Sequence, residues 1–157
     1  MKPKVYLETT IPSYLTAWPS RDLIRAAHQQ STREWWESRR TAFELYVSEV
    51  VLIEVAAGDP IAAAERLDVL KGIPVLEASQ DARRLAEELR RSVPLPPRAA
   101  LDATHISIAV VTGMDFLLTW NCTHIANATL RPRIDAVCHS LGLIPTIICT
   151  PIELMKG

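Results

Sequence analysis

Glycine is scarce, with five in 157 residues. No G-x-G-x-x-G follows the first apolar segment and no G-x-x-x-x-G-K-[ST] occurs anywhere. The backbone cradles by which dinucleotide enzymes and P-loop NTPases hold phosphate are therefore excluded. Cysteine is also rare. Cys122, Cys138 and Cys149 are an odd set without regular spacing, which argues against a disulfide framework and for a reducing, cytoplasmic setting. Together with His124 and His139 they match no ordinary zinc spacing. The chain has no apolar stretch of signal-peptide length at its start and none of membrane-spanning length elsewhere. Neither charge sign dominates. Lys and Arg number 17 against 18 Asp and Glu, for a net charge of −1. Overall charge cannot grip a nucleic acid, and any such contact must come from a local basic patch.

What is present is an ordinary globular mix, 48% hydrophobic and 22% charged. It suits a single domain over 1–157 with a core large enough to need no disulfide or structural metal. Strand-like and helix-like segments alternate. Val5-Tyr6-Leu7, Leu45-Tyr46-Val47, Pro74-Val75-Leu76, Phe116-Leu117-Leu118-Thr119 and Thr146-Ile147-Ile148-Cys149 read as five strands. Between them, helices are expected over 23–40, from Ser48 to the Gly58-Asp59-Pro60 breaker, over 62–70, 79–91 and 101–111, and from the fourth strand to about Leu141. A last short helix is expected to open at Thr150-Pro151, with proline at its first position. The pattern predicts a three-layer α/β/α fold around a central, mainly parallel five-stranded sheet, with its ligand site beyond the carboxyl ends of the strands.

Three carboxylates occupy unusual places on that plan. Glu8 closes the first strand, Glu54 lies among apolar neighbours on the helix after the second, and Asp102 begins the apolar segment Leu101–Val111. Singly, each has a plain structural explanation: a turn residue, a half-exposed helix end, and a residue favoured by a helix dipole. Together they are placed where one sheet edge can gather them. Converging carboxylates repel one another or demand a cation. Oxygen-only ligands suit Mg²⁺ or Mn²⁺, which can activate water for phosphoryl displacement.

Four segments in order resemble the PIN-domain family, and within it the toxin half of bacterial VapBC toxin–antitoxin pairs. Val5-Tyr6-Leu7-Glu8-Thr9-Thr10 is similar to the family's opening strand with its Asp-Thr-Ser/Thr end. Ser48-Glu49-Val50-Val51-Leu52-Ile53-Glu54-Val55 resembles the acidic helix after the second strand. Leu101-Asp102-Ala103-Thr104-His105-Ile106 resembles the third motif, and Leu117-Leu118-Thr119-Trp120-Asn121 the fourth. The closing segment Thr146–Leu154 is similar to the family's last strand and helix. The resemblance implies a metal-dependent endoribonuclease, with Glu8, Glu54 and Asp102 as metal ligands and Asn121 as the fourth catalytic position. It also implies an RNA substrate, a small antitoxin partner and a homodimer without membrane association. Two positions depart from the pattern. Glu8 stands where Asp is usual, and Asn121 supplies a neutral oxygen where Asp is common. Asp115 is an alternative acidic residue, although it precedes its strand and reads first as a turn residue.

Around these, Thr9 and Thr119 are candidate supporting hydroxyls. His105, three residues after Asp102 on one helix, is a candidate to orient Asp102 or meet a phosphate, or else a hydrogen-bonded structural histidine. Arg83, Arg84, Arg90 and Arg91 form one basic group, and Arg21, Arg25, Arg39 and Arg40 another. Either can steer RNA, and either can be a solvated face. Trp18, Trp35 and Trp36 read as core or interface anchors, with Trp35-Trp36 expected to contribute to a dimer. The competing readings are a catalytically weakened PIN scaffold that binds RNA or protein, and a phosphatase-like or DNA-acting hydrolase.

Overall fold

The run Lys4-Val5-Tyr6-Leu7 suits a strand buried on both faces. In a computed structural model describing residues 1–156 it forms β1 (Lys4–Leu7), at the centre of the sheet. Val5, Tyr6 and Leu7 are fully buried. β2 (Glu44–Ser48) and β4 (Phe116–Leu118) flank β1, while β3 (Val75–Leu76) and β5 (Ile147–Cys149) form the edges. The order is β3-β2-β1-β4-β5 and every pairing is parallel. Tyr6 stands opposite Tyr46 on one side and Leu117 on the other. The chain winds outward from β1 to β3 and then restarts on the other side with β4. The crevice between the carboxyl ends of β1 and β4 is therefore the topological switch point, where open parallel sheets bind their ligands.

The helices are α1 (Thr10–Thr16), α2 (Leu23–Arg39), α3 (Glu49–Val55), α4 (Pro60–Val69), α5 (Gln80–Ser92), α6 (Ala100–Val111) and α7 (Arg131–Ser140). Serine side chains cap the starts of α3 and α5. The Ser48 hydroxyl accepts from the Val51 amide at 3.2 Å, and the Ser79 hydroxyl from the Ala82 amide at 3.2 Å. Gly58 and Gly72 follow α3 and α4 with φ of +85° and +81°, a backbone that a side chain would strain. α1 packs on α2 and α4, α5 packs on α6 and α7, and the sheet lies between layers of helices.

α1 is not among the helices expected; Pro12 lies in its first turn, where its missing N–H leaves no helical bond unmade. Three expectations are corrected. No helix follows β4 directly. Asn121 and Asn127 fold the next stretch into turns with their side chains, and α7 begins only at Arg131. The Thr150-Pro151 segment is a turn rather than a helix, closed by Glu153 accepting from the Thr150 amide at 2.7 Å. Trp35 is fully buried and stacks near Phe43, with ring centres 5.8 Å apart, so it is a core anchor and cannot serve a dimer contact. Trp36 is half-buried with the Arg40 guanidinium over its ring.

Candidate functional site

The polar residues expected at the carboxyl edge are joined there by hydrogen bonds, in three arms. The first centres on Glu8, which is only 4% exposed. Its Oε1 accepts from the Thr10 hydroxyl at 2.6 Å, the Thr10 amide at 3.2 Å and the Thr119 hydroxyl at 2.6 Å. The same two hydroxyls accept backbone amides of the loop after β4. Trp120 N–H donates to Thr10 at 2.8 Å, and Asn121 N–H to Thr119 at 2.9 Å. Glu8 thus fastens the ends of β1 and β4 to the loop that carries Asn121. The indole of Trp120 is itself fixed, donating to the Thr32 hydroxyl at 2.7 Å and stacking on His28 with ring centres 4.0 Å apart.

The second arm begins at Glu54 in the last turn of α3. Its Oε1 accepts from Thr9 Oγ1 at 2.7 Å and meets Nε2 of the fully buried His105. The other ring nitrogen of His105 lies 2.6 Å from the Tyr6 hydroxyl, which is 2.7 Å from Ser48 Oγ. Burial, opposed by the Ser48 hydrogen bond and reinforced by the charges of Glu8 and Glu54, holds the Tyr6 phenol well above its ordinary pKa, so it keeps its proton. The His105 ring thus bridges Tyr6 through Nδ1 and Glu54 through Nε2. Burial alone would push the Glu54 carboxyl up. The hydrogen bond and charge of His105, with the Thr9 hydroxyl, outweigh it and hold the carboxyl below the ordinary carboxylate range. His105 therefore orients Glu54 across the fold, and its hydrogen bonds do not reach its helix neighbour Asp102.

Asp102 forms the third arm. It sits in the first turn of α6, whose N-cap Ala99 offers no side-chain oxygen, so the carboxylate supplies the negative charge there. Its Oδ2 accepts from Nδ1 of His124 at 2.9 Å. The His124 backbone amide donates to Asn121 Oδ1 at 3.0 Å, which ties this arm through Asn121 and Thr119 to Glu8. Asp115 belongs elsewhere. It accepts from the Lys4 amide at 2.8 Å at the amino edge of the sheet.

The donor chemistry, carboxylate oxygens with hydroxyls around them, suits a hard divalent cation. The three expected ligands nevertheless form no ready-made cage. Among the described residues, no group of three or more His, Cys, Asp or Glu side chains is gathered so that it could hold a metal ion. Each carboxylate is engaged through one oxygen with its own partners: threonines at Glu8, His105 and Thr9 at Glu54, His124 at Asp102. Sequence reasoning missed the part of His124, which it weighed only beside cysteines, and that of Thr10. The available signals were a threonine two residues after a buried acid and an asparagine able to turn the chain back three residues later. A tyrosine in a strand buried on both faces also had to find a partner for its hydroxyl.

A family model described as the PIN domain matches residues 6–121, the span that contains Glu8, Glu54, Asp102 and Asn121. No curated protein sequence matches the chain. Among solved structures, the chain is similar to VapC20 of Mycobacterium tuberculosis, a sarcin–ricin loop cleaving toxin, with 16% identity and a TM-score of 0.61 over 79% of this chain and 95% of that one. It is similar to VapBC2 of Rickettsia felis, solved bound to a DNA fragment from their promoter, with 16% identity and a TM-score of 0.58 over 94% of this chain and 98% of that one. A toxin–antitoxin complex from Klebsiella pneumoniae gives 17% identity and a TM-score of 0.56 over 79% and 92%.

Proposed function

The chain belongs to the PIN domain family, and from that premise we propose that it is a metal-dependent endoribonuclease, the cytoplasmic toxin of a toxin–antitoxin pair. The observation that carries this reading is the hydrogen-bonded edge at the β1–β4 switch point. There Glu8, Asn121 and Asp102 lie on one network, and Glu54 joins through Thr9, the residue next to Glu8. Solved complexes of similar fold with an antitoxin support a small protein partner for this chain. The family habit supports a homodimer, with a contact that does not use Trp35.

In this reading Asp102, Glu54 and Glu8 would hold Mg²⁺ or Mn²⁺ through carboxylate oxygens not engaged in the present hydrogen bonds. The ion when bound supplies water activation and charge neutralisation at a phosphodiester. The chain's own residues do the positioning. Thr10 and Thr119 fix Glu8, His105 and Thr9 fix Glu54, and His124 fixes Asp102. Asn121 shapes the turn that delivers His124. Substituting Asp102→Asn keeps the shape of that side chain and removes its charge. It is expected to lower Mn²⁺-dependent cleavage of RNA by on the order of a thousandfold, with the fold retained by circular dichroism. Equal cleavage by wild type and variant sinks the mechanism.

A second reading, a weakened scaffold that binds RNA or protein, is favoured by the Asn121 carboxamide oxygen being occupied in a turn. Asn121→Asp keeps that acceptor and adds an anionic ligand. Tighter metal binding is expected. Cleavage by Asn121→Asp but not by wild type would establish the scaffold.

A further inference from the structure

α5 and α6 pack against each other along their length and leave a groove of about 610 Å³ between their outer faces. Its α5 wall carries Arg83, Arg84, Glu87 and Arg90, and its α6 wall carries Leu101 and Thr104. The charges on the α5 wall are not equivalent. Arg84 lies 3.9 Å from Asp81, and Glu87 lies 4.0 Å from Arg91. Arg83 and Arg90 have no acidic partner among the described residues, and both are exposed. Seven residues apart, they stand on one stripe about 10 Å apart along the helix. The opposite wall is the first turn of α6, where Asp102 sits next to Leu101.

We infer that this groove is a binding site for the phosphate backbone of single-stranded RNA, with Arg83 and Arg90 each holding a phosphate and the strand running on towards Asp102. The inference rests on the ribonuclease reading for the identity of the polyanion. A chain of net charge −1 needs a local cationic track to bind RNA. Unpaired guanidiniums can supply it, because they spend nothing on breaking an existing ion pair and hold phosphate bidentately. The other basic group is less available. Arg39 lies over the Phe43 ring and donates to the Leu154 carbonyl, and Arg40 lies over Trp36 and donates to its carbonyl. Arg21 and Arg25 remain exposed at the start of α2 and serve as the control pair.

The test measures binding of a fluorescent mixed-sequence RNA oligonucleotide to the Asp102→Asn protein across a salt series. Adding Arg83→Ala with Arg90→Ala is expected to weaken binding about tenfold at low salt and to flatten the log–log salt slope by about 1.4, the share of two phosphates on a single strand. Arg21→Ala with Arg25→Ala is expected to change neither. Unchanged affinity and slope in the Arg83/Arg90 variant, loss carried by Arg21 and Arg25 instead, or no RNA binding at all would each overturn the groove. Cleavage of the same RNA by wild type with Mn²⁺ is scored separately. Cleavage that persists while the groove variant binds normally removes the groove and leaves the ribonuclease. Binding through Arg83 and Arg90 without cleavage by wild type keeps the groove as an RNA site and removes the nuclease.

Discussion

At the amino edge of the sheet, the exposed side chain of Asp115 accepts from the Lys4 amide at 2.8 Å. At the carboxyl edge of the same two strands, Glu8 lies 4% exposed and accepts from two hydroxyls and an amide. Both are carboxylates beside β1 and β4. Water solvates one, and the protein solvates the other through threonines that are in turn held by the Trp120 and Asn121 amides. A carboxylate kept inside needs such donors, and one left in water does not.

The difference between the two edges is tested most directly at Glu8 itself. Glu8→Ala leaves buried donors without an acceptor and is expected to cost about 3 kcal/mol of stability in urea unfolding, whereas Asp115→Ala is expected to cost about 0.5 kcal/mol. Equal losses would make the two edges alike. A smaller effect is expected at the heart of the second arm. Tyr6→Phe keeps the ring but takes one hydrogen-bond partner each from Ser48 and His105, for a loss of about 1.5 kcal/mol and a Tm lower by about 3–6 °C. A variant as stable as wild type would mean that the Tyr6 bonds are incidental.

The smallest effect is in pH dependence. The Glu54 pKa is lowered in the folded state, so the unfolded chain binds this proton first. The stability Glu54 contributes is complete above its unfolded pKa, about 4.3, and is lost as pH falls through the lower folded value. Glu54→Gln is therefore expected to flatten the acid limb of the stability curve and leave its shape near neutrality unchanged. An acid limb as steep as in wild type would place the titrating group elsewhere.

Much of this was legible in the residues. Ser48 and Ser79 announced helix starts, Gly58 and Gly72 announced stops, and the alternation of elements implied the parallel sheet that the strand pairings show. The placement of Glu8 and Asn121 after strands and of Glu54 and Asp102 on helices was legible for the same reason, since strand and helix patterns are local signals. Partnerships were not. Helix spacing suggested Asp102 for His105, but its partner is Glu54, 51 residues away in the chain. His124 reaches Asp102 only because Asn121 turns the backbone, a side-chain effect that no apolar periodicity records. α1 was hidden because a proline in a first turn looks the same in sequence as a proline that breaks a helix.

The central position of β1 also governs when the network can exist. The Glu8–Thr119 bond joins residues 111 apart, and Asp102 waits for His124. During synthesis Glu8 and Glu54 leave the ribosome long before Asn121, and the middle strand has only one of its two neighbours until β4 emerges. A half-made copy contains some of the acidic residues without the loop that fixes them. The network on which the proposed function rests is therefore closed only once His124 has been made.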